Sequence, residues 1–158
     1  MRRLLIVVAI LALNLGLAAP ALASNRVPSK VKQVTVTLTF PPRTGGSKPP
    51  VHRTLTKTAT VNRVIKAVDA LKAAQTRHTM CPMIEVLGPK LTVVFRAGGA
   101  GPNPALAEAQ VDVALGTHGS SGSSLCFPIH FSAGSTQVAL IGNSFVRLVG
   151  GLIGTPIS

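Results

Sequence analysis

Apolar and polar residues alternate from Val34 to Phe40. Val34, Val36, Leu38 and Phe40 point one way, and Thr35, Thr37 and Thr39 the other. A period of two, rich in β-branched residues, predicts a half-buried strand. Three later runs repeat it: Leu91, Val93 and Phe95; Ala109, Val111, Val113 and Leu115; and Leu125, Phe127, Ile129 and Phe131. In the second run Gln110, Asp112 and the nearby Glu108 fall on the polar face. Pro128, inside the third, predicts an edge position or a bulge, because proline has no N–H for a ladder. His52 to Thr56 and Gln137 to Ile141 are shorter candidates. The period changes between Thr60 and Ala74, where Val61, Val64, Ile65, Val68 and Leu71 recur at helical spacing. Arg63, Lys66 and Lys72 stay on the wet side of that helix. Asp69, three residues from both Lys66 and Lys72, is spaced for a surface ion pair. Thr58 or Thr60 is the candidate N-cap. Phe145 to Ile153 predicts a short terminal helix, weakened by Gly150 and Gly151.

The connections carry breaker residues. Ser24 to Ser29 reads as a loose arm and Pro41 to Pro50 as a loop. The Gly-rich stretches Ala97 to Pro104 and Gly116 to Ser124 read as extended hairpin loops. No strand–helix–strand unit repeats. The expected fold is α+β: a mainly antiparallel sheet of about five strands with one or two helices packed on one face.

The first 23 residues have a different character. Arg2 and Arg3 precede an uncharged apolar run from Leu4 to Leu13, and Ala21-Leu22-Ala23 supplies small residues at a cleavage position. That order predicts a secretory signal peptide over 1–23, removed to leave one secreted domain over 24–158 with no integral membrane anchor. Export to an oxidising compartment and an even cysteine count predict a disulfide between Cys81 and Cys126. Closing a loop of that length stabilises by roughly 4 kcal/mol in the chain-entropy account.

Charge narrows the partners. The chain has 16 Lys and Arg against 4 Asp and Glu. Eleven of the basic residues that follow the leader precede His78. Such a basic half suits an anionic envelope polymer. Nucleic acid fits poorly: the chain has no Trp or Tyr and only 5 Phe, so stacking platforms are scarce. Asp69, Glu85, Glu108 and Asp112 are the only acids, no Gly-x-Ser-x-Gly elbow occurs, and no glycine motif cradles phosphate. The chain is therefore expected to be no enzyme and to hold no cofactor. His78, Met80, Cys81, Met83, Cys126 and His130 have spacings and softness that Zn or Cu(I) sites use. A disulfide would remove the thiolates, and the expectation is no metal.

The segment Met80-Cys81-Pro82-Met83-Ile84 remains. Pro82 fixes its own φ and drives Cys81 toward an extended conformation. A disulfide at Cys81 would brace the loop two residues before Met83. Such bracing suits a substrate-like protease inhibitor, because preorganisation lowers the entropy lost on binding. The run resembles the reactive loop of the subtilisin-inhibitor-like family of secreted bacterial serine-protease inhibitors, which carries Met-Cys-Pro-Met there. That resemblance implies Met83 as specificity residue, Met83–Ile84 as reactive bond, and an extracellular subtilisin- or chymotrypsin-like protease as partner. It also implies a five-stranded antiparallel sheet with two helices. The chain departs from the family where Phe40 and Thr60 stand near the places of a second disulfide. Glu85-Val86-Leu87 replaces Tyr-Asp-Pro, and the tail from Ser132 has no counterpart. In outline the chain also resembles secreted actinobacterial proteins of unknown role. The competing expectation is a non-enzymatic secreted domain whose basic N-terminal half binds an anionic cell-envelope component.

Overall fold

The computed structural model describes residues 26–42, 48–74, 88–99, 103–113, 127–155 and 157. Among them the strands are β1 (Val31–Thr39), β2 (Val51–Leu55), β3 (Lys72–Ala73), β4 (Lys90–Ala97), β5 (Ala105–Asp112), β6 (Ile129–Ala133) and β7 (Thr136–Ile141). Helix α1 (Thr58–Asp69) follows β2, and α2 (Asn143–Leu152) follows β7. The strands form one sheet in the order β2-β1-β4-β5-β6-β7-β3, with every neighbouring pair antiparallel. The arrangement is α+β, with seven strands rather than about five. The short candidate His52 to Thr56 is the edge strand β2, largely exposed, and the strand not expected is the other edge, β3, only two residues long.

Alternation produces the core. Val34, Val36 and Leu38 of β1, Leu91, Val93 and Phe95 of β4, and Ala107, Ala109 and Val111 of β5 are buried on one face. Ile129 and Phe131 of β6 and Leu140 of β7 extend it. Val61, Val64 and Val68 of α1 and Phe145, Val146 and Val149 of α2 close over it in the same cluster. The intervening strand residues, such as Thr35, Thr92, Glu108 and His130, lie on the other face and are half-buried or exposed.

Several local expectations are corrected. The first helix was expected to reach Ala74 but ends at Asp69. Beyond it Lys72 pairs with Ile141 and Ala73 with Leu140, so ladder bonds to β7 replace another helical turn. Leu71 stays buried, which is why the helical spacing seemed to continue through it. Neither Thr58 nor Thr60 caps the helix: the cap position is Lys57, extended, with no side-chain bond. Pro128 stands just ahead of β6, which is an inner strand between β5 and β7. Placed there it removes no donor from the ladder, so neither the edge nor the bulge is needed.

Two adjacent glycines in α2 have opposite roles. A Cβ on Gly150 would stand 2.9 Å from the Thr155 carbonyl oxygen and 3.0 Å from Ile157. That close approach lets the tail fold back, with Thr155 N–H donating to Gly150 O at 3.0 Å. At Gly151 a Cβ meets nothing within 4 Å. Gly150→Ala should therefore destabilise by about 1–3 kcal/mol through overpacking. Gly151→Ala should stabilise by about 0.5–1 kcal/mol through helix propensity. Urea midpoints of the two variants should move in opposite directions.

Candidate functional site

Met80, Cys81, Pro82, Met83 and Ile84, with His78, Glu85 and Cys126, lie outside the described residues. What the structure does place is where their segments attach. Lys90 opens β4 opposite Asp112, which closes β5. Val113 N–H donates to Pro89 O at 2.9 Å and locks these two chain ends together. β6 starts beside them, with His130 opposite Gln110. The end of segment 75–87 that enters β4 and both ends of segment 114–126 therefore join the sheet at one end, while Ala74, from which segment 75–87 departs, donates its N–H to Ala139 O on β7 at 2.8 Å. Cys126 stands three residues before Ile129, and Cys81 seven before Gly88.

The N-terminal arm is pinned, not loose as the sequence implied. Val27 is 2% exposed. The backbone N–H groups of Arg26 and Val27 donate to Asp69 Oδ1 at 2.9 and 3.3 Å. The Arg26 guanidinium donates from Nη1 to Val68 O at 3.3 Å, Asp69 O at 3.2 Å and Leu71 O at 2.6 Å. These carbonyls belong to the last turn of α1 and its exit, at the negative end of the helix dipole, and Val68 O also accepts from Leu71 N–H at 3.0 Å. A cation there suits the dipole and gives these carbonyls a charged donor. Asp69 thus holds the arm, in place of the expected surface pair with Lys66 or Lys72. Asp69→Ala leaves two part-buried N–H groups without their acceptor. It should cost about 1–3 kcal/mol, read as a lower denaturation midpoint with an unchanged slope.

Between arm and helix runs a groove of about 360 Å³. Val27, Val31, Val61 and Ile65 line it, with Lys32, Lys66, Asn62 and Asp69 among its polar walls. Lys32 owes its place to a register shift between Val31 and Gln33, where Val31 pairs with Ala97 and Gln33 with Arg96. The extra residue lets Val31 face the core although it is an odd number of positions from Val34, and frees Lys32 from the alternation.

The opposite sheet face has a second concavity of about 330 Å³, lined by Glu108, Gln110, His130, Ser132 and Gln137. Gln110 pairs across strands with His130, and Glu108 with Ser132. No group of three or more His, Cys, Asp or Glu that could hold a metal occurs among the described residues. Among them, too, no helix is long and apolar enough to cross a membrane.

Charge is distributed unequally between the two layers. Lys57, Arg63 and Lys66 at and on α1 and Arg147 on α2 are exposed. Of the described acids, Asp69 is engaged by the arm, while Glu108 and Asp112 belong to the outward face of β5. Arg26 and Val27 are the residues of the groove and its arm whose contacts sequence reasoning missed. The one signal was a valine within an otherwise polar arm. No family model, curated protein or solved structure matches this chain.

Proposed function

We propose that the protein is an exported inhibitor of subtilisin- or chymotrypsin-like serine proteases. In this reading it occupies the enzyme in the manner of a substrate, with Met83 in the specificity pocket and Met83–Ile84 as the reactive bond. The observation that supports it is the bond from Val113 to Pro89, which ties the start of segment 114–126 to the chain that leaves segment 75–87 for β4. A reactive segment needs a stiff base and a brace, and a Cys81–Cys126 bridge would supply the brace. Pro82 would stiffen the segment further. The test is titration of subtilisin with the oxidised protein. Activity should fall linearly to a stoichiometric end point, and should return when the bridge is reduced. Undiminished activity of subtilisin and chymotrypsin at excess protein would sink the proposal.

The charge distribution favours a second reading, in which the basic N-terminal half holds the protein on an anionic envelope polymer. Lys57, Arg63, Lys66 and Arg147 are exposed on the helix layer, and the one acid there among the described residues, Asp69, is engaged by the arm. Retention on anionic cell-wall material that vanishes at high salt is its expected mark, because exposed charges are screened beyond a Debye length of about 10 Å at 0.1 M salt.

A further inference from the structure

We propose that the groove between the N-terminal arm and α1 is a binding site for a small amphiphilic anion, a ligand with a carboxylate or phosphate head and a short alkyl tail. Its volume, about 360 Å³, falls within the range of small-ligand sites. Val27, Val31, Val61 and Ile65 give an apolar floor. Ile65 is only half-buried, although it lies on the core side of an amphipathic helix, so the floor retains apolar surface open to water. An alkyl chain laid there removes that surface from solvent.

The walls set the sign of the head. Lys32 and Lys66 line the groove from opposite elements, one on β1 and one on α1. Among the described residues neither ammonium has a carboxylate partner. Asn62 adds a neutral donor. The one carboxylate on the wall, Asp69, already accepts two arm N–H groups on Oδ1. Lys32 lines the groove at the register shift in β1, and its stem lies against Gly98, where a Cβ would come within 2.5 Å of the Lys32 Cβ. A bulge that redirects a lysine beside an apolar floor is the arrangement an anionic head above an alkyl tail requires.

This site is separate from the reactive-loop reading. It also differs from the polymer reading, since a polymer would engage Arg63 and Arg147 as well as Lys66. The test is calorimetric titration of the full chain with decyl phosphate and with decanoate, each below its micelle concentration. Decanol and butyl phosphate serve as the headless and tailless comparisons. Saturable one-to-one binding of a charged decyl probe is expected, with both comparisons weaker by about ten-fold or more. The response of the two heads tells phosphate from carboxylate preference. Lys66→Gln and Lys32→Gln should each weaken binding by about ten-fold, and Lys66→Arg should restore most of it. Arg147→Gln, on α2 and outside the groove, should change nothing. Both lysines are exposed, so an unchanged melting temperature will show that the variants fold. Absence of saturable binding overturns the proposal. So does decanol binding as tightly as the anions, or Arg147→Gln weakening binding as much as Lys66→Gln.

Discussion

Replacing Phe95 with alanine is expected to remove about 3–5 kcal/mol of stability, a large part of what a domain of this size has to lose. Phe95 is fully buried in β4. Its ring meets Phe131 of β6 edge-on, with centroids 6.5 Å apart and planes at 69°. Those strands are not neighbours, because β5 runs between them. Contact is possible because β5 offers alanine at both crossing points, Ala107 opposite Phe95 and Ala109 opposite Phe131. The large–small–large sequence across three strands leaves no side chain able to fill the space that Phe95 would vacate. The loss therefore includes a cavity term beyond transfer of the ring. Calorimetry should show a clear fall in melting temperature. A Phe131→Ala variant should couple to it, the double mutant losing less than the two single losses combined. Strict additivity would mean that the rings do not interact.

The second large effect concerns Met83. If its side chain fills a protease pocket, Met83→Gly removes the central anchor of the interface. Such anchors are worth roughly 2–4 kcal/mol, or about thirty- to a thousand-fold in inhibition constant. Met83→Lys should be as harmful toward subtilisin, because an ammonium must be stripped of water in an apolar pocket. Toward trypsin-like enzymes, whose pocket presents a carboxylate, the same change should improve inhibition. Opposite movement of the two inhibition constants is the signature of a specificity residue. Equal inhibition of subtilisin by the parent and the glycine variant would mean that the contact lies elsewhere.

The central strands were legible because one of their faces is covered. Wherever a strand has the helices on one side and water on the other, a period of two is forced on the sequence, and β1, β4 and β5 show it. β2 has no such constraint. His52, Arg53 and Thr54 are exposed in succession at the sheet edge, and the strand is held by its pairing with β1. β3 is two residues long and exists only because β7 offers partners, information that lies some seventy positions away. The end of α1 was hidden for the same reason: Leu71 keeps the helical spacing while serving the core from outside the helix. Composition and the four-residue motif marked 80–84 as a candidate, and those positions lie outside the described residues. The groove could not be read in advance. Its wall depends on a register shift in β1 and on an arm whose contacts with α1 span more than forty residues of sequence.

The clasp made by Arg26 limits how the polypeptide can be shortened. A form starting at Pro28 would lack the guanidinium that closes the carbonyl end of α1 and both amide groups held by Asp69. Removal of the four residues past the anticipated leader boundary would thus leave the sheet's own ladders in place while loosening the helix that covers it. Recombinant versions should keep Arg26, and a purification tag placed upstream of it needs a spacer long enough for the clasp to close.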